Sequence, residues 1–169
     1  MAPMSRTMRQ GLAVGLLAYA AVALFYGAFD LLAARGTLFT VDLLGKALFR
    51  GLRDPSVLQY PIAPDMMAIL WYNGVHLLLS LGIGVVVTRL VYEAERRPSW
   101  APLIVLAIVA GFVVTVLVVG WLTAPMRAVL PWWSIVLANA LATLVAGAFL
   151  MHERPGLWRR LVPIGGPSR

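Results

Sequence analysis

The sequence predicts an all-α integral membrane protein: four transmembrane helices, with an outer-surface amphipathic helix between the first and the second. Three observations lead there. The 169 residues are 61% hydrophobic and only 12% charged, whereas soluble domains run near about 50% apolar and about 25% charged. The mean hydropathy is +0.86, too apolar for a water-facing surface, and a bilayer removes that conflict by acting as the apolar solvent. Finally, the apolar residues gather into four windows with most of the charges between them, the distribution of topology signals.

The first window covers approximately residues 11–34, with Asp30 as its one ionisable group before Arg35. Its apolar run exceeds the roughly 7–15 residues of a secretory h-region, so it reads as a retained helix rather than a cleaved leader. The second window, approximately 66–90, holds His76 and ends at Arg89. The third, approximately 102–124, and the fourth, approximately 131–151, carry no charge. All four are continuously apolar rather than alternating, which selects helices over barrel strands. The short segment 123–130 makes the last two an antiparallel hairpin, and the whole chain reads as a single membrane domain.

The one long connection, 35–65, begins with a predicted helix over 40–53. Val41, Leu44, Leu48 and Leu52 recur at helical spacing on one face, while Asp42, Lys46, Arg50 and Arg53 form the other, with Asp42 and Lys46 four apart. Thr40 is the expected N-cap and Asp54-Pro55 the stop. Such a helix is expected to lie flat on the membrane, with Leu and Phe49 down and the charges up. Pro55, Pro61 and Pro64 then make an extended return.

Placing the N-terminus inside puts nine basic residues on the cytoplasmic side, Arg6, Arg9, Arg89, Arg96, Arg97, Arg154, Arg159, Arg160 and Arg169. Five fall on the other side: Arg35, Lys46, Arg50, Arg53 and Arg127. That bias favours both termini in the cytoplasm. The expected location is the bacterial cytoplasmic (inner) membrane, multi-pass. A single lysine among the 14 basic residues reads as a GC-rich codon bias. The net charge of +7 does not mark a nucleic-acid binder, because the basic residues flank apolar runs instead of forming one face.

Polar side chains inside the windows are the candidate site, because lipid makes them costly. At about 1.5 Å per residue, Tyr26, Asp30, Asn73, His76 and Asn139 all fall in the outer half of the membrane. Asn73, His76, Ser80, Gly84 and Thr88 share one face of the second helix, and Asn139, Thr143 and Gly147 form a matching stripe on the fourth. Two readings stand: interhelical hydrogen bonding, worth about 0.6–2 kcal/mol each, or a ligand or proton site built around His76 and Asp30. Asp30 also has Arg35 as a nearby alternative partner. Small residues at four-residue spacing, Gly11–Gly15, Ala107–Gly111–Thr115 and Ser134–Ala138–Ala142–Ala146, offer close-packing faces, more than one compact bundle needs.

Several chemistries lack their residues. With no cysteine there is no disulfide, thiolate metal site or thiol nucleophile, and the histidine and carboxylate positions do not suit a zinc or iron site. His152 is the only second histidine and lies at the far end from His76, so a bis-histidine haem within one copy is disfavoured. No carboxylate pair, phosphate loop or HExxH marks an independent enzyme. The leading expectation is an auxiliary or structural subunit of a larger bioenergetic or transport membrane complex, bordering a quinone, lipid or pigment site. Its partners would be the lipid bilayer and other membrane subunits or copies of itself, without nucleic acid. The alternative is a small homo-oligomeric transporter or channel with a His/Asp-containing polar path.

Overall fold

The computed structural model describes residues 5–52 and 63–154. Among them there are helices and turns but no strand. Four helices are long and apolar enough to cross a membrane: α1 (Arg6–Leu32), α3 (Met66–Arg96), α4 (Ala101–Leu122) and α5 (Trp132–Glu153). The short α2 (Phe39–Phe49) lies between α1 and α3.

The termini of these helices follow local chemistry. Ser5 Oγ accepts a hydrogen bond from the Met8 N–H at the start of α1, and Asp65 Oδ1 accepts from the Ala68 N–H at the start of α3. Each supplies an acceptor to an N–H that the helix itself leaves unpaired. The first turn of α4 carries a proline, which lacks the N–H that would be orphaned there. α1 closes with Arg35 N–H donating to Asp30 O and Ala34 N–H to Leu31 O, the paired bonds of a Schellman end. That end places Ala34 at φ 54° and is followed by Gly36 at φ 82°. The two left-handed residues turn the chain back over the end of the bundle.

The core is built on α3. It packs most extensively on α1, which packs in turn on α5, whereas α4 touches α3 and α5 sparsely. The α1–α3 contact is a glycine seam. A Cβ added at Gly15 would come within 2.5 Å of Leu81 Cα, and one at Gly84 within 2.5 Å of Gly11 O and 2.7 Å of Gly15 Cα. Only hydrogen fits there, so the backbones touch directly, as small-residue packing in membranes requires. Val14, Val91 and Leu150 join α1, α3 and α5 farther along. Ala94, Ala101 and Ile104 join α3 to α4.

α2 is a clasp over one end of the bundle. Phe39 and Leu43 pack with Met126 and Leu130 of the α4–α5 connection, and Gly45 lies so close to Ala68 that a Cβ would approach its carbonyl oxygen to 2.5 Å. This corrects the expected helix in three respects. It spans Phe39–Phe49 rather than 40–53, and its N-cap position is Leu38, not Thr40. Its charged face is not all turned to water, because Asp42 is only 4% exposed. Asp42 accepts from Lys46 Nζ and from the Asp65 N–H, and these bonds allow a carboxylate to be buried. Leu48 and Phe49, expected to face the membrane, are exposed. Pro55 and Pro61 lie outside the described residues.

The opposite end has its own clasp. Arg154, just past α5, donates to Gln10 Oε1 of α1 at 2.7 Å and to Glu95 Oε2 of α3, and its guanidinium lies over the Tyr92 ring. Gln10 Nε2 donates to Glu153 Oε2. One arginine thus ties three helices together.

Candidate functional site

The polar residues of the spans divide into a closed set and an open set. Asp30 belongs to the first. It is 1% exposed, and its carboxylate accepts from Thr40 N–H at 2.7 Å and Thr40 Oγ1 at 2.6 Å. Of the two readings of Asp30 and His76, a direct hydrogen bond between them is not formed, and neither is a direct bond from Arg35 to Asp30. Arg35 Nη1 instead donates to Val129 O at 2.6 Å, with its guanidinium over Phe29 and Phe39. Asp30 is a bracket between α1 and α2, because the turn through Ala34 and Gly36 carries Thr40 back over it.

Asn73 is also closed. Its Oδ1 accepts from Tyr19 Oη at 2.8 Å, and its Nδ2 donates to Ile69 O of its own helix. It is a hydrogen-bond link between α1 and α3. Asn139 donates to Ile135 O within α5, and Thr143 Oγ1 donates back to Asn139 O. The α5 stripe therefore bonds along its own helix, and Thr143 is exposed. Among the described residues Asn139 makes no hydrogen bond to the other candidates.

Tyr26 joins the ends of the group. Its hydroxyl is in hydrogen-bonding reach of Ser134 on α5 and close to Asp30, and it neighbours Tyr72 across the α1–α3 boundary. Tyr26 also packs against the Phe39–Leu43–Met126–Leu130 cluster. Ser134 itself donates to Pro131 O.

His76 and Tyr72 form the open set. The His76 ring lies between two tyrosine rings, with centroids 5.2 Å from Tyr19 and 5.9 Å from Tyr72. Both His76 and Tyr72 are half-buried. Among the described residues neither the imidazole nitrogens nor the Tyr72 hydroxyl has a hydrogen-bond partner, whereas Asp30, Asn73, Ser134 and Thr40 all do. The sequence reading passed over Tyr19 and Tyr72. Their signal was present: Tyr72 lies four residues before His76, and Tyr19 seven before Tyr26, the spacings of shared helix faces.

No known family, characterised protein or solved structure matches this chain. Function is read from the side chains.

Two features bound what this arrangement can do. Below His76 the polar stripe continues through Ser80, Gly84 and Thr88, but there it runs into the glycine seam, where Gly84 is buried against Gly11 and Gly15. Backbone contact at that distance leaves no room for a water file between α1 and α3. Thr88 Oγ1 is buried there with no hydrogen-bond partner. Also, no three His, Asp or Glu side chains come together in a metal-holding group among the described residues. The open pair is suited to donating and accepting hydrogen bonds towards something outside the chain.

Proposed function

We propose that this chain is an auxiliary subunit of a larger bioenergetic or transport membrane complex, without catalytic chemistry of its own, bordering a quinone, lipid or pigment site. In this reading it is inserted in the bacterial cytoplasmic membrane with both termini inside and α2 at the outer surface, interacting with the bilayer and with other membrane subunits.

The observation that carries the reading is the open Tyr72–His76 pair. In hydrocarbon an unpaired polar group costs about 1–3 kcal/mol or more, and intramembrane ionisable residues characteristically face a partner or a ligand. The exposed small-residue run Ala107–Gly111 of α4 supports it, since a Cβ at Gly111 would meet open space. The Asp30 carboxylate is committed to Thr40 and glycine contact closes a route between α1 and α3 within one copy, both of which favour the subunit reading over a transporter with a polar path through each copy.

The test is purification from native membranes in mild detergent, with co-purifying proteins identified by mass spectrometry. Stoichiometric larger subunits are expected. A chain that purifies alone or only with copies of itself would overturn the subunit reading. Fusion reporters check the topology: one following Arg154 should read cytoplasmic, and one following Arg50 external.

A further inference from the structure

We infer that the face of α3 through Tyr72, His76, Leu79 and Ile83 binds a lipophilic quinone, with one quinone carbonyl held by the Tyr72 hydroxyl and the His76 imidazole and the apolar tail lying over Leu79 and Ile83. This deepens the proposed function and rests on the same open pair.

Four observations select that ligand chemistry. First, the unfilled positions match a carbonyl oxygen. Tyr72 supplies an O–H donor and neutral His76 an N–H donor, while the neighbouring donors are occupied: Tyr19 Oη by Asn73 and Asn73 Nδ2 by Ile69 O. Second, the pair is not in contact with an ionised group. The Asp30 carboxylate is held by Thr40 and Arg35 by the Val129 carbonyl, so a neutral head is favoured over a phosphate or ammonium. Third, the rings of Tyr19 and Tyr72 lie tilted against the imidazole at 55° and 38°, so the polar pair is bordered by aromatic surface. Fourth, the same helix face becomes apolar immediately beyond the pair. Leu79 and Ile83, at i+3 and i+7 from His76, are 61% and 53% exposed and give a hydrocarbon tail a track along α3.

The depth of His76, but not that of Tyr72 beside Trp71, separates a quinone from a bilayer phospholipid. His76 lies five residues beyond Trp71, about 7–8 Å along the helix. Trp71 is 58% exposed, and tryptophans of this kind mark the interface. Phospholipid ester carbonyls are anchored at that interface, whereas a quinone head is free to move through the hydrocarbon.

The experiment uses the full chain, His152→Gln so that one imidazole remains, labelled with nitrogen-15 at histidine. The protein is placed in nanodiscs of ether-linked lipid, which contains no carbonyl, and titrated with a decyl-substituted benzoquinone. A saturable change in the His76 nitrogen resonances is expected. Tyr72→Phe should weaken binding about five- to tenfold, the effect of one lost hydrogen bond. Leu79→Trp, at an exposed position, should weaken binding without touching the polar pair. No response to the quinone would overturn the inference, as would a response to ester-linked lipid alone, or binding by Tyr72→Phe and Leu79→Trp equal to that of the parent chain. Co-purifying subunits with a silent titration would refute this inference and leave the subunit reading standing. Quinone binding by a chain that purifies alone would support this inference and refute the subunit reading.

Discussion

Helices α1 and α4 are both long and apolar enough to cross a membrane and both carry small residues at four-residue spacing, yet they use them differently. In α1, Gly11 and Gly15 are buried in direct backbone contact with Gly84 and its neighbours. In α4, Gly111 is exposed with open space at its Cβ position, and only Ala101, Ile104, Val116 and Gly120 are buried along the whole helix. The lesson is that small residues mark close approach only where a second helix presents a matching hollow. The first set holds the bundle together, and the second stays exposed.

The sharpest test of this contrast is a pair of alanine substitutions. Gly84→Ala should cost about 3 kcal/mol, the upper end for overpacking, because the added methyl meets backbone atoms that cannot rotate away. Gly111→Ala should leave stability within about 0.5 kcal/mol. Unfolding in mixed micelles measures both, and equal effects would refute the distinction between seam and open face.

A smaller effect is expected at the Arg154 clasp, where α4 takes no part. Arg154→Ala leaves Gln10 and Glu95 without their shared donor, at a cost of about 2 kcal/mol for hydrogen bonds to a charged group. Increased protease cleavage or hydrogen exchange near Glu153 would register it. At the other clasp, Thr40→Val removes one of the two bonds to Asp30 and should cost about 1 kcal/mol. Hydrogen exchange should rise in α2 and leave the α1–α3 seam unchanged; loosening of the seam would show that the two regions are not independent.

The smallest effect is a pH dependence confined to the α2 end. The hydrogen bond from Arg50 holds the Asp65 carboxyl down to about 2, against about 3.9 unfolded. A depressed carboxylate stabilises fully above its unfolded pKa and loses that contribution as pH falls towards the folded one. Fraying of α2 from α3 should therefore begin below about pH 4, with the stabilisation largely lost by about pH 2. The pair is partly exposed, so salt should weaken the effect. Asp65→Asn should remove the pH dependence.

The four long apolar helices were legible because the capacity to cross a membrane depends on a local property, the apolarity of about 20 consecutive residues. Gly11–Gly15 was visible as a motif for the same reason. What was not legible was which residues meet. Asp30 and Thr40 are ten apart, but their contact depends on the left-handed turn at Ala34, a conformation an alanine does not announce. The α2 face was misread because ranking by hydrophobicity places Asp42 outside, whereas the Asp65 N–H, 23 residues away, supplies the bond that buries it. Asn73, His76 and Tyr26 were found through their cost in lipid. Their separation into closed and open groups depends on Tyr19 and Thr40, which no single-helix pattern connects to them.

The Arg154 clasp has a consequence for how the protein is made. Its partners Gln10 and Glu95 precede it by 144 and 59 residues. At a synthesis rate of about 5–20 residues per second, Gln10 waits on the order of 10–30 s for the guanidinium that completes its bonds. During that interval α1 and α3 can close along their glycines while their ends stay open to water. The end of α5 is thus what locks the start of α1, and a chain halted before Arg154 lacks that lock.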